Sequence, residues 1–175
     1  VVKANAYGIG VTEVAPALAA SGCKTFFVAT ADEGAELRGI LGPRSNIFAF
    51  NGPMEATAAD LLSHNVVPVL NDLGQIEAWA EAARAAGSRL AAALHIDTGM
   101  NRLGLPPEEV AVLGAEPQRL ERIEVALVMS HLACAEQQDN PKNEDQIISF
   151  LRFKGALAPA PASLANSSGI FLGAQ

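Results

Sequence analysis

Four stretches of this sequence hold side chains that could do chemistry together. Lys3 follows two β-branched residues, Val1 and Val2, and is followed closely by Asn5, Tyr7 and Gly8. That pattern reads as the end of a strand passing into a loop. A lysine at the end of an apolar strand loses hydration, which disfavours its ammonium form, and a neutral amine condenses with an aldehyde. Arg102 lies in Asp97-Thr98-Gly99-Met100-Asn101-Arg102-Leu103-Gly104. His131 lies in Met129-Ser130-His131-Leu132-Ala133, and Asn166 and Ser167 open Asn166-Ser167-Ser168-Gly169. Each has an ordinary alternative. Lysines and arginines mostly sit in solvent, a histidine can be hydrogen-bonded inside a core, and Asn-Ser-Ser-Gly can simply cap a helix. Helix starts also attract anions. Taken together, the set offers an amine nucleophile, a cationic donor, a flat imidazole and a phosphate cradle. An aldehyde cofactor carrying a phosphate, pyridoxal 5'-phosphate, uses such a set.

These groups can meet only if the elements place them at one end of a fold. After the lysine loop, Val11 to Ser21 has a helical apolar face and Thr25 to Thr30 is aromatic and β-branched, a strand. Ala31 to Leu41 reads as a helix, Asn46 to Phe50 as a strand and Glu55 to His64 as a helix. Val66 to Leu70 is a strand, with Asn71-Asp72 capping a helix to about Ala86. Leu90 to Ile96 is a strand, Pro107 to about Leu113 a short helix, and Arg122 to Met129 a strand. Asp139 to about Ala156 is the longest helix, and Ser163 to Ala165 a brief strand.

Alternating strands and helices imply a parallel sheet with helical crossovers. Counting the lysine strand first gives about seven strands. A doubly wound sheet and an eight-unit barrel both fit that rhythm. The first loop is not G-x-G-x-x-G, and unusual polar residues follow several different strands, which favours the barrel. The predicted fold is therefore an incomplete (β/α)8 TIM-type barrel over residues 1–175, with about seven of its eight strands.

Composition removes other classes. Half of the 175 residues are hydrophobic, enough for one sizeable core. The formal charge is -7 and no basic cluster appears, which excludes a nucleic-acid surface. Apolar runs reach about five residues, where a membrane helix needs about twenty. Cys23 and Cys134 lie far apart with no ligand spacing around them. They read as buried small hydrophobes in a reducing compartment, and no metal site is expected. Both ends look cut, so a leader segment cannot be judged.

In series, Val-Val-Lys-Ala-Asn-Ala-Tyr-Gly, His-Ile-Asp-Thr-Gly-Met-Asn-Arg-Leu-Gly, Met-Ser-His-Leu-Ala and Ala-Asn-Ser-Ser-Gly resemble the alanine racemase family, from residue 1 to about residue 172. The resemblance implies a fold-type III pyridoxal phosphate barrel. It implies that Lys3 is the Schiff-base lysine and the base on the D side, and that Tyr7 binds the cofactor phosphate. Arg102 would hydrogen-bond the pyridine 3-oxygen, His131 would lie against the ring, and Asn166 and Ser167 would lie on the phosphate side, with Ser167 contacting it. It further implies a cytoplasmic homodimer that interconverts L- and D-alanine and supplies D-alanine for peptidoglycan.

Two positions depart from the family pattern. Ile9 stands where many members have histidine. His95 stands where many have a carbamylated lysine that orients the arginine, so Arg102 must be supported differently. The L-side tyrosine base and the arginine at the pyridine nitrogen belong to parts outside these residues, since the single tyrosine is Tyr7. On this reading the 175 residues are an N-terminal piece lacking the C-terminal β domain, with little racemase activity alone and poor solubility. A non-catalytic pyridoxal-phosphate carrier and a racemase of broader specificity are the alternatives.

Overall fold

The computed structural model describes residues 1–54, 57–157 and 159–173. Six strands form one parallel sheet: β1 (Thr25–Val28), β2 (Asn46–Ala49), β3 (Val67–Leu70), β4 (Leu90–His95), β5 (Ile123–Met129) and β6 (Ala162–Ser163). Their order is strictly sequential, β1-β2-β3-β4-β5-β6. A doubly wound sheet reverses direction at a switch point. This one never does, so the barrel reading holds and the sheet is a half-barrel.

The expected first strand is reduced to one rung. Val2 N donates to Phe27 O at 2.8 Å, and the chain then leaves the sheet. The cause is α1 (Lys3–Tyr7), a single turn in which Ala4, Asn5, Ala6 and Tyr7 all have positive φ, from 51° to 58°. This is left-handed helix, which costs L-residues roughly 1–2 kcal/mol each. A chain turning that way cannot extend the ladder, so the described strands number six where about seven were expected.

The remaining helices are α2 (Val11–Ala20), α3 (Ala31–Leu41), α4 (Ala58–Ser63), α5 (Leu73–Ala85), α6 (Pro107–Ala115) and α7 (Pro141–Gly155). Local chemistry sets their starts. The Thr30, Asp72 and Asn140 side chains accept from Glu33 N, Gln75 N and Lys142 N, filling the N-cap role. Asp72 alone is the cap of α5; Asn71, read with it as a cap, is buried instead. Residues 55 and 56, the expected start of α4, lie outside the described residues.

Alternation along the strands separates two cores. Ile47, Ala49, Leu70, Ala92, Leu94 and Val128 face outward and pack with Leu37, Leu61, Ile76 and Trp79 from the helices. Phe48, Val69, Ala93 and Met129 face the barrel interior. There Phe27 stacks on Phe48 at 4.9 Å and on Phe50 at 5.1 Å between ring centroids. Cys23 is exposed and Cys134 half-buried, so neither is the core residue that composition suggested. Cysteine is small and tolerates both settings.

Candidate active site

Three of the four chemically promising stretches meet at the carboxyl ends of the strands. There a cavity of about 380 Å³ is lined by Lys3, Tyr7, Phe50, His95, Arg102 and His131, among others. Lys3 reaches it because Val2 is pinned to Phe27 and the left-handed turn begins immediately afterwards. Its Nζ lies 6.0 Å from the Phe50 ring centroid. Tyr7 ends the same turn and sits largely exposed at the rim. Asn5 closes the turn by accepting from Val11 N at 2.8 Å.

Arg102 rides on a loop that leaves β4 and returns to it. Asp97 N donates to Leu105 O, and Leu105 N donates to His95 O. Inside the loop the Asp97 carboxylate accepts from Gly99 N, Met100 N and Asn101 N at 2.9 to 3.1 Å. That carboxylate is therefore spent on shaping the loop. Among the described residues no Asp or Glu lines the cavity, whereas Lys3 and Arg102 both do. In a chain of charge -7, this is a local cationic site.

His131 follows β5 and is held by its backbone. Gln146, fully buried on α7, donates from Nε2 to His131 O at 3.0 Å and to Thr98 Oγ1 at 3.1 Å, and its Oε1 accepts from Ala133 N. Burial lowers the pKa of His131, and the charges of Arg102 and Lys3 lower it further. The ring is neutral at neutral pH, fit to lie flat against a ligand.

His95 is the departure that the structure explains. It is buried at the end of β4, and its Nδ1 meets Asn71 Oδ1 at 2.9 Å. Asn71 Nδ2 donates to Phe50 O, Val69 O and Gln75 Oε1, so its oxygen must be the acceptor from His95. Nδ1 therefore carries the proton and Nε2 is left as an acceptor. Burial and His131 push the His95 pKa down to about 4, with Arg102 acting the same way and Asp97 opposing. The site thus has a neutral imidazole beside Arg102.

Asn166 and Ser167 do not line the cavity. Asn166 Oδ1 accepts from Gly169 N at 2.8 Å, which closes the turn into a short 3-10 helix, Gly169–Leu172. Sequence reasoning missed Gln146 and the inward role of Asn71. Gln146 left a signal: it falls between Asn143 and Phe150 on the buried face of an otherwise amphipathic helix. Among the described residues no His, Cys, Asp and Glu side chains cluster as metal ligands, and no described helix is long and apolar enough to cross a membrane.

The fold and the pocket define a class: a parallel barrel domain with an amine and a cation converging on an anion-accepting site at its strand ends. Residues 1–175 match the family "Alanine racemase, N-terminal domain", and the chain belongs to that family. It is 46% identical over 175 residues to an alanine racemase of Rhodospirillum rubrum, covering all of this chain and 47% of that protein. It is 45% identical over 173 residues to "Alanine racemase, catabolic" of Mesorhizobium japonicum, covering 99% and 45%. The chain thus spans about half the length of the curated relatives it matches. The structure superposes on an alanine racemase of Bartonella henselae "with covalently bound pyridoxal phosphate" at a TM-score of 0.94 and 37% identity, over 98% of this chain and 50% of that one.

Proposed function

We propose that these residues are the N-terminal barrel domain of a pyridoxal-phosphate-dependent racemase that interconverts L- and D-alanine. The observation that carries this reading is the convergence of Lys3, Arg102 and neutral His131 on one cavity. The residues fit the cofactor: an amine for its aldehyde, cationic character for its phosphate and ring oxygen, and a volume within the range of ligand pockets.

When bound, pyridoxal phosphate supplies an aldehyde for amines and a ring that spreads the charge left at the α-carbon. Lys3 Nζ would hold it through its aldehyde, and the same amine would accept or return the α-proton on the D side. The Tyr7 hydroxyl would donate to the phosphate, and Asn166 and Ser167 would lie on that side. Arg102 would donate to the ring 3-oxygen, and the neutral ring of His131 would lie against the cofactor without adding charge. The L-side base comes from a tyrosine outside these residues, donated across a homodimer. In the cell the product D-alanine supplies peptidoglycan.

The test is α-deuterium exchange on L- and D-alanine by the full chain. Lys3→Ala is expected to lose exchange by at least about a thousandfold, the scale of removing a positioned base and nucleophile. It should also lose the near-visible absorbance gained on adding pyridoxal phosphate. Exchange retained by Lys3→Ala overturns the reading. A structural neighbour from Leuconostoc mesenteroides is named a histidine racemase, at a TM-score of 0.84 and 26% identity. Faster exchange on histidine or serine than on alanine would move the assignment to a broader or different substrate.

A further inference from the structure

The sequence Thr30-Ala31-Asp32-Glu33 has the form of a capping box, in which the glutamate three residues past the cap turns back to the N–H of the cap residue. Half of that box is present: Glu33 N donates to Thr30 Oγ1 at 3.3 Å. The glutamate carboxylate has gone elsewhere. Its Oε2 accepts from Ala29 N at 2.7 Å, just past β1, and its Oε1 accepts from Ala4 N at 2.9 Å, 29 residues away in sequence. Ala4 is the first left-handed residue after Lys3.

We propose that Glu33 is a positioning residue for Lys3: its carboxylate bridges the lysine turn and the end of β1, and so fixes where the Lys3 side chain emerges. The need for such a clamp is physical. Four consecutive L-residues in the left-handed region resist that shape. The turn's other bonds are largely its own: Ala6 N to Val2 O, Gly8 N to Ala4 O, Gly10 N to Asn5 O. These set its shape. Among the described residues, the hydrogen bonds that tie it to the sheet are Val2 N to Phe27 O and the Glu33 bridge, one on each side of Lys3. A charged acceptor gives stronger bonds than a neutral one. Glu33 does not line the cavity, so it acts through Lys3 rather than on a ligand.

The inference rests on the proposed role of Lys3, and the experiment separates the two. The full chain is incubated with pyridoxal phosphate, reduced with borohydride and mapped by mass spectrometry. Lys24, Lys142 and Lys154 serve as internal controls. The variants are Glu33→Gln, isosteric but presenting an NH2 to one of the two N–H groups, and Thr30→Ala, which removes the helix cap and leaves the clamp. Glu33→Gln is expected to lower modification of Lys3 about tenfold, the effect of losing one charge-assisted hydrogen bond, with the other lysines unchanged. Thr30→Ala should lower the melting temperature without changing Lys3. Modification of Lys3 in Glu33→Gln within twofold of the parent overturns the proposal, as does an equal loss in Thr30→Ala. If the parent shows no preference for Lys3, the cofactor assignment fails. The clamp is then judged by hydrogen exchange at the Ala4 and Ala29 amides, which must quicken in Glu33→Gln. If Glu33→Gln does not fold, Glu33→Asp is read by both measurements: a carboxylate too short to span both amides must expose one of them.

Discussion

His95 shows how much a single residue's surroundings decide. Its ring is neutral at neutral pH because burial outweighs the attraction of Asp97, while His131 and Arg102 disfavour a further charge. The folded pKa, about 4, lies below the ordinary value of 6.5. Between those values the unfolded chain binds a proton that the folded chain does not, so stability rises with pH there and falls as the solution is acidified. The slope is roughly 1.4 kcal/mol per pH unit for one such group. Urea titrations at pH 7.5, 6 and 5 should show that loss, and His95→Gln should flatten it, leaving the shallower contribution of His131. An equal slope in both proteins would mean that His95 does not titrate as its burial demands.

The loop from Asp97 to Gly104 depends on its last residue. Gly104 has φ +110°, and a β-carbon there would lie 2.8 Å from Asp97 N and 3.0 Å from Ile96 C. Backbone cannot yield as a side chain can. Gly104→Ala should destabilise the protein by about 1–3 kcal/mol and displace Arg102, measured as a lower melting temperature with weakened cofactor binding. An unchanged melt would mean that the loop can re-route. Elements like this mark the boundary of what a sequence declares. Strands and helices of this chain were legible because their periodicities are strong and Asn71-Asp72 signalled a cap, whereas the caps Thr30 and Asn140 emerged only in the structure. Lys3, Arg102 and His131 were legible as candidates because each follows a strand. The left-handed turn was not, since Ala-Asn-Ala-Tyr has no glycine to signal positive φ. Nor were the partners of Asn71 and Gln146, because a polar residue's burial depends on contacts made far along the chain. Asn166 and Ser167 matched a motif; Asn166 Oδ1 closes a turn with Gly169 N, and neither residue lines the cavity.

At the scale of the whole molecule, the half-barrel has an apolar inner surface, with the Phe27, Phe48 and Phe50 stack at its centre. Among the described residues the sheet also carries unpaired edges at β1, beyond its single bond to Val2, and at β6. Such edges recruit other strands. Expressed as these 175 residues alone, the protein should self-associate and bind hydrophobic dyes. Light scattering that reports a monodisperse monomer, with a cooperative melt, would contradict this. The Lys3 turn, the Arg102 loop and the backbone of His131 are each held by bonds within the described residues.

The handedness of the lysine turn has a stereochemical consequence. At Ala4, φ 51° and ψ 53° are the mirror image of ordinary helix, which is the natural basin of a D-residue. Ala4 is exposed, so inverting its α-carbon meets little packing. The junction Gly22-Cys23 suits chemical ligation of a synthetic segment 1–22 to the remainder. A D-alanine installed at position 4 should stabilise the protein by about 1 kcal/mol, whereas the same inversion at Ala17 in right-handed α2 should destabilise it comparably. Denaturant midpoints of the two ligated proteins would tell whether this short stretch of chain prefers the enantiomer that biosynthesis does not supply.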